Sequence, residues 1–372
     1  MKCSYYDANA CRSCTQLPVP YAEQLLGKQA IAERALAAFA PASWLAPCAS
    51  REQGFRNKAK MAIGGSCEAP TLGLLDPAGA GIDLMHCALY PDSMRAAFAP
   101  IRQALIAARV PPYQLDTRRG EGKYVLLTEA PGSGELLLRF VLRSREAIER
   151  IARQIPALQL ALPMLRVVSV NLLPEHKAVT EGEREIVLTT IDHINCQLND
   201  VRFRLTPRAF LQTHSAGAAA LYAQAREWIG LHSPARVWDL YCGVGGFAMH
   251  AAASGRKVVG VESASEAIDA ARASHPAIDW VCADAVDWAC AQTAVPDCVI
   301  VNPPRRGIGP RLAAWLDQSK APLLLYSSCN IDSLARDLQA LPHYRIDAAR
   351  LFDLFAHTTH FETLVLLQRR SD

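Results

Sequence analysis

No apolar run in this chain reaches the roughly 18–20 residues that a membrane-spanning helix requires, so a transmembrane helix is not expected. The opening residues, Met1-Lys2-Cys3-Ser4-Tyr5, lack the apolar stretch of a signal peptide, and a cytoplasmic location is the expectation. Charge of one sign is also missing. With 39 basic and 36 acidic residues the net charge is only +3, so any nucleic-acid footprint must be local. There is no internal repeat and no low-complexity tract. Cysteine, in contrast, is abundant. Twelve cysteines in a reducing compartment point to metal binding or catalysis before disulfides. The length of 372 residues allows two or three domains with real cores, and 51% apolar against 20% charged residues is a soluble globular composition.

Cys3, Cys11 and Cys14 form a C-x7-C-x2-C pattern in a short polar segment with little else to fold around. Such a segment needs a staple, and the spacing fits zinc or iron–sulfur alike. Tyr21 to Ala40 reads as one alanine-rich helix, broken by Pro41 and Pro47. Residues 50–190 read as a strand-rich mixed domain. Gln53 to Ile63 alternates and runs into a Gly64-Gly65 turn. Lys123 to Glu129 and Glu135 to Leu142 flank the hairpin signal Pro131-Gly132-Ser133-Gly134. Arg166 to Leu173 is another strand, and helices are predicted at about 92–108 and 145–154.

From about residue 215 helix and strand alternate. Strands are predicted at 236–241, 257–262, 278–283, 297–302, 322–328, 345–352 and 361–368, which defines a doubly wound α/β domain. The last two have no helix between them and should pair as an antiparallel hairpin. Strands of this kind place their C-terminal ends at the ligand crevice.

Three of those ends carry chemistry. Asp239-Leu240-Tyr241-Cys242-Gly243-Val244-Gly245-Gly246 is a strand, a glycine turn and a helix start. The third spaced glycine of the dinucleotide fingerprint is missing, which disfavours NAD. Glu262 ends the next strand, about 20 residues on, where a carboxylate can accept from ribose hydroxyls, and Asp284 ends the third near an adenine position. A nucleoside without a pyrophosphate fits best, namely S-adenosylmethionine; a purely structural glycine turn is the bland alternative. Asn302-Pro303-Pro304-Arg305 forms a rigid turn that presents amide groups to a planar ring. In amino-group methyltransferases an aromatic residue ends that motif; here Arg305 does. Cys329 follows the buried run Leu323-Leu324-Leu325-Tyr326-Ser327-Ser328. A lone cysteine is as often a packing residue as a nucleophile. At this strand end it can add to C6 of a pyrimidine and load negative charge onto C5. A base must then remove the C5 proton, and Glu362, after His357-Thr358-Thr359-His360, is the candidate. The two histidines lack a third ligand nearby, which disfavours a metal site on them.

These residues resemble the TrmA/RumA class of RNA uracil-C5 methyltransferases. The resemblance covers essentially the whole chain. It rests on Cys3…Cys11-Arg12-Ser13-Cys14, Gln53-Gly54-Phe55-Arg56-Asn57-Lys58-Ala59-Lys60, Phe210-Leu211-Gln212-Thr213, the Asp239 glycine turn, Asn302-Pro303-Pro304-Arg305-Arg306-Gly307, Tyr326-Ser327-Ser328-Cys329-Asn330, and Leu351-Phe352-Asp353-Leu354-Phe355 running into His357-Thr358-Thr359-His360-Phe361-Glu362. It implies Cys329 as nucleophile and Glu362 as general base. It implies S-adenosylmethionine contacts from Gln212, Tyr241, Glu262 and Asn302, and a [4Fe-4S] cluster on Cys3, Cys11, Cys14 and Cys87. Cysteines 48, 67, 196, 242, 282, 290 and 298 are expected to pack. The implied substrate is a uracil of 23S ribosomal RNA, U747, and the implied partner list is that RNA, no membrane and no second protomer. The implied architecture is α/β: an N-terminal iron–sulfur segment (1–48, completed by Cys87), a mixed α+β RNA-binding domain (49–195) and a doubly wound Rossmann-like methyltransferase domain (196–372), seven-stranded with a terminal antiparallel hairpin.

Two departures stand out. Relatives often begin with a small β-barrel RNA-binding module, whereas this chain starts at the cluster cysteines. Several carry Asp where Asn302 stands. An RNA cytosine-C5 methyltransferase is disfavoured because that class carries a second cysteine in the Pro-containing motif. A non-catalytic iron–sulfur RNA-binding protein is disfavoured by intact Cys329 and Glu362. Arg56, Lys58 and Lys60 recur at period two, which predicts three cations on one strand face, and Arg118, Arg119, Lys123, Arg139 and Arg143 add to a phosphate-tracking surface. A solvated strand face is the alternative.

Overall fold

The computed structural model describes residues 1–177 and 179–370. The chain divides into two compact units. One comprises Met1–Arg12, Gln53–Gln197 and Leu205–Arg208; the other comprises Ser13–Glu52, Leu198–Arg204 and the chain from Ala209 onward. This division differs from the expected 1–48, 49–195 and 196–372. Residues 13–52 fold with the second unit because their helix, Tyr21–Leu36, buries Ala32 and Leu36 in that unit's core. The helix also buries an ion pair between Lys28 Nζ and Asp353 Oδ1, 2.8 Å apart. It ends in a 3-10 turn, Ala37–Phe39, with Ala40 left-handed at φ 45°, just before Pro41.

The first unit is built on a seven-stranded sheet: β1 (Lys58–Gly65), β2 (Pro70–Leu75), β3 (Gly81–Asp83), β4 (Gly122–Glu129), β5 (Leu136–Leu142), β6 (Leu165–Leu172) and β7 (Arg184–Val187), in the order β3-β2-β1-β4-β5-β6-β7. All neighbours are antiparallel except β5 and β6, which need the helical crossover Ile148–Ala152 and Ile155–Ala161. Helix Asp92–Ala107 packs Met94, Phe98 and Ile101 into the core against Met61, Val125 and Phe140. Gly64 and Gly65 do not turn the chain. They end β1 where a Cβ on Gly64 would lie 2.5 Å from the Gly81 backbone. The turn falls at Ser66–Ala69, where the Ser66 hydroxyl accepts from the Ala69 N–H at 3.1 Å. Residues 53–57 are not strand either; their N–H groups at Gly54 and Arg56 donate to the carbonyls of Ala88 and Leu89. Two short strands, β8 (Ile194–Leu198) and β9 (Val201–Leu205), carry the chain onward.

The second unit holds β10 (Arg236–Leu240), β11 (Lys257–Glu262), β12 (Asp279–Cys282), β13 (Cys298–Val301), β14 (Leu323–Ser328), β15 (Tyr344–Phe352) and β16 (Glu362–Arg369), ordered β12-β11-β10-β13-β14-β16-β15. The first five are parallel and β16 is antiparallel to both β14 and β15, as expected from the missing last helix. Buried runs such as Cys298–Val301 and Leu323–Tyr326 are apolar on both faces because helices cover both. Residues 42–48 run along the outer edge of β15, the Leu45 N–H donating to Ala349 O at 2.9 Å, so that edge is not bare. No helix among the described residues is long and apolar enough to cross a membrane.

Candidate active site

Order reverses in the second sheet at β10, and the crevice opens at the C-terminal ends of the parallel strands. Tyr241, Glu262, Asn302 and Cys329 all stand at those ends, after β10, at the last residue of β11, after β13 and after β14. Glu362 opens the antiparallel β16, next to Thr363, which pairs with Ser328, and so reaches the same edge. Gln212 precedes the helix Ser215–His232 and lies outside the sheet.

The glycine turn is conformationally demanding. Tyr241 is a non-glycine residue at φ 64°, and Gly243 and Gly245 have φ 54° and 87°. A Cβ on Gly245 would meet the Trp280 ring at 2.3 Å, so only glycine fits there. A Cβ on Gly243 would point into open space, which leaves backbone accessible to a ligand. Glu262 braces the turn by accepting from Gly243 N at 3.2 Å and from Ser263 N at 2.8 Å. Asp239 is fully buried. One carboxylate oxygen accepts from Ala248 N at 2.8 Å and the other has no hydrogen-bond partner among the described residues. Burial raises its pKa to about 8, against the Ala248 hydrogen bond and with a further push from Glu262. Tyr241 is raised to about 12, chiefly by burial. Asp284 caps the helix Ala285–Cys290 by accepting from Val286 N and Asp287 N.

Asn302-Pro303-Pro304-Arg305 is held from behind. The Asp337 carboxylate accepts from Ile308 N at 2.8 Å and from the Tyr326 hydroxyl at 2.7 Å. Gly307, at φ 84°, is required because a Cβ would sit 2.1 Å from that carboxylate. Asn330 donates to Arg305 O at 3.1 Å while its own oxygen caps the helix Ile331–Gln339. Arg305 is thereby tied to the residue after Cys329, which keeps its positive charge in electrostatic reach of the thiol. The Cys329 pKa is raised, first by burial and then by the Glu362 charge; Arg305 works in the opposite direction. Glu362 is almost fully buried. Burial lifts its pKa to about 7, moderated by a hydrogen bond donated by the Ser327 hydroxyl. A thiol with a cation on one side and a buried carboxyl in electrostatic reach is suited to covalent addition followed by proton removal.

Sequence reasoning singled out Cys329 and Glu362 but did not assign Arg305 to the thiol or Ser327 to the carboxyl. The signals were present, as the cation after the two prolines and the hydroxyl two residues before the cysteine. His357 is structural: it is buried, with Nε2 2.9 Å from Glu52 O and Nδ1 3.3 Å from the Gln24 amide.

Among the described residues no group of three or more His, Cys, Asp or Glu is arranged to hold a metal ion. Cys3, Cys11, Cys14 and Cys87 are all partly exposed. Within the first unit the Tyr5 hydroxyl accepts from His86 N at 3.1 Å. The Cys87 thiol is raised mainly by burial, with Cys3 and Cys11 adding to the shift, which places the three in electrostatic reach. Of the cysteines expected to pack, Cys196, Cys242 and Cys298 are buried, but Cys282 is exposed at the end of an edge strand and packs little.

The doubly wound sheet with its glycine turn and acidic strand ends has the architecture of a Rossmann-like methyltransferase. The family described as tRNA (Uracil-5-)-methyltransferase matches residues 291–370. The chain is 44% identical to the 23S rRNA (uracil(747)-C(5))-methyltransferase RlmC of Edwardsiella ictaluri, over 100% of each chain. It is also 44% identical to the protein of that name from Serratia proteamaculans, over 99% of this chain and 100% of the relative. Among solved structures it is similar to the Pyrococcus abyssi tRNA (uracil-54, C5)-methyltransferase in complex with S-adenosyl-L-homocysteine, with a TM-score of 0.81 and 25% identity, over 96% of this chain and 84% of that one. The chain belongs to the RNA uracil-C5 methyltransferase family.

Proposed function

We propose that this protein transfers the methyl group of S-adenosylmethionine to C5 of a uracil in 23S ribosomal RNA, at the position its relatives' names number 747. The observation that carries the reading is the Arg305–Cys329 and Ser327–Glu362 arrangement at one edge of the sheet. Arg305 favours the thiolate of Cys329, which adds to C6 of the ring. The electron pair moves to C5 and O4, and C5 becomes the nucleophile. Bound S-adenosylmethionine supplies the electrophilic methyl group. Glu362, as carboxylate, then takes the C5 proton, the C5–C6 double bond re-forms and the thiolate leaves. A Glu362 pKa of about 7 suits a group that must be neutral while the thiolate forms and ionised when the proton leaves. Gln212, Tyr241, Glu262 and Asn302 hold the methyl donor, and the open backbone at Gly243 fits its close approach.

The same reading places a [4Fe-4S] cluster on Cys3, Cys11, Cys14 and Cys87. Four thiols are the donor set of such a cluster, and the influence of Cys3 and Cys11 on Cys87 supports it. Methyl transfer moves no net electrons, so its role is structural or in RNA docking rather than redox catalysis. The protein acts in the cytoplasm, as a monomer. The deciding experiment maps 5-methyluridine in 23S rRNA from cells with and without the gene, and repeats the reaction on a transcribed rRNA fragment. An unmodified fragment with wild-type protein would overturn the assignment.

A further inference from the structure

The first unit carries a cavity of about 310 Å³ that the chemistry above does not use, lined by Leu75, Tyr113, Leu115, Lys123, Tyr124 and His176 among others. Its floor is one face of the sheet. Tyr124 pairs with Ala62 on β1 and with Val141 on β5, and it packs on a small cluster of Leu126, Val141 and Leu173 separate from the main core. The wall is the loop after Val110. Tyr113, 7% exposed, hydrogen-bonds His176 Nδ1 at 3.1 Å, and their ring centroids lie 6.1 Å apart. Lys123 Nζ sits 4.4 Å from the Tyr113 ring centroid and donates to Glu175 O at 2.7 Å, which leaves the buried ammonium with donor capacity. Leu115, in the same loop, is 48% exposed.

Planar rings, an apolar floor and a buried cation describe a slot for a flat heteroaromatic ring carrying acceptor oxygens. The rim is basic: Lys177 lines the opening, and Arg118 and Arg119 are exposed in the loop that carries Leu115. None of these three has an ion-pair partner among the described residues, so they are available to phosphates. We propose that this cavity holds an unpaired base of the RNA other than the target uracil, with the flanking phosphates on Lys177, Arg118 and Arg119. The proposal rests on the RNA-substrate reading and adds a second anchoring point to it. Backbone contacts alone position an RNA, whereas a captured base selects which looped strand is presented.

The test uses full-length protein and a hairpin fragment of 23S rRNA that contains the target uridine. Tyr124→Ala and His176→Ala should each weaken fragment binding, by roughly tenfold for Tyr124→Ala. Tyr124→Phe, which keeps the ring, should restore it. S-adenosylhomocysteine affinity should be unchanged in all three, which also confirms folding. Unpaired bases of the fragment are then replaced one at a time by abasic sites. One position should weaken wild-type binding about tenfold yet leave Tyr124→Ala unaffected, which identifies the base in the cavity. Normal fragment binding by Tyr124→Ala and His176→Ala, or additive losses at every abasic position, would overturn the proposal. Failure of the substrate reading looks different, because wild-type protein would then neither bind nor methylate the fragment.

Discussion

The Arg139 network of the first sheet and the crevice acids of the second handle buried charge in opposite ways. In the first unit, Arg139 is 1% exposed and its guanidinium is met by Glu185 at 2.6 Å and Glu181 at 2.8 Å, with Ser169 and Asn171 donating to the same Glu185 carboxylate. Its charges are satisfied by one another, and the Arg139 pKa stays raised despite burial. In the second unit, the buried acids at the crevice are under-provided. Asp239 keeps one oxygen without a hydrogen-bond partner among the described residues, and Glu362 has one hydroxyl where Arg139 has two carboxylates. A closed network builds a rigid frame; an open one leaves groups whose protonation can change during a reaction.

The largest way to test that contrast is at Cys329. Cys329→Ala should abolish methyl transfer, by on the order of 10³-fold or more, because no other group can form the C6 bond. S-adenosylhomocysteine binding should persist. Appreciable turnover by this variant would refute covalent catalysis.

Glu362→Gln should separate methylation from release. Methyl transfer should proceed and resolution should stall, leaving a methylated protein–RNA adduct that survives denaturing electrophoresis. In wild-type protein, resolution should slow about tenfold per pH unit below about 7, where the carboxyl is protonated. Stability gives an independent reading. The folded-state pKa is raised from 4.5 to about 7, so the folded protein holds this proton more tightly than the unfolded chain. The stability this group contributes is therefore fully present below about 4.5 and is lost as pH rises through about 7. Glu362→Gln removes that loss and should gain up to about 3 kcal/mol at pH 8 relative to pH 4, measured by denaturant unfolding.

Arg139→Ala tests the closed network. It leaves Glu185 and Glu181 facing each other without their cation and should cost about 3–5 kcal/mol. Chemical denaturation monitors the loss, while methyl transfer under stabilising conditions should be little changed. A large loss of turnover in fully folded protein would mean that this frame takes part in the reaction.

What the sequence disclosed follows the same division. The strands of the second sheet were legible because most read as apolar runs punctuated by helices, and Cys329 sits where one such run stops, while Glu362 stands where the last begins. Arg305 and Ser327 escaped assignment because their roles depend on neighbouring strands, β13 beside β14 for Arg305 and β14 beside β16 for Ser327, rather than on local spacing. In the first unit the edge strand Arg184–Val187 is short and half charged, too brief a pattern to read, and Gly64-Gly65 has turn composition but answers to a close strand approach. The second crossover helix, Ile155–Ala161, was hidden by Pro156, which is compatible with a helix start. The N-terminal helix looked like part of a separate segment because its partner, Asp353, lies more than 300 residues away.

The smallest expected effect concerns Arg56, Lys58 and Lys60. Period-two spacing predicts one cationic strand face, yet β1 begins at Lys58, and Arg56 lies in the preceding loop, where its charge lowers the Cys87 pKa. Lys60 is 3.5 Å from Glu181 and already has a counter-charge. Lys58 has its pKa lowered to about 8, by burial first and by Arg139 and Lys60 against the pull of Glu181, so it is partly neutral just above physiological pH. Three free phosphate contacts would lower the log–log salt slope of RNA binding by roughly 2–3 on joint neutralisation, since each contributes about 0.7–0.9. With Lys60 engaged and Lys58 near its titration point, the triple variant should lower it by about one. The Lys58 share should vanish when the titration is repeated at pH 9, because the lysine then carries little charge to release a counterion. A change of roughly 2–2.7 at both pH values would show that RNA displaces Glu181 and recharges Lys58, and the first sheet would then be no closed network on that face.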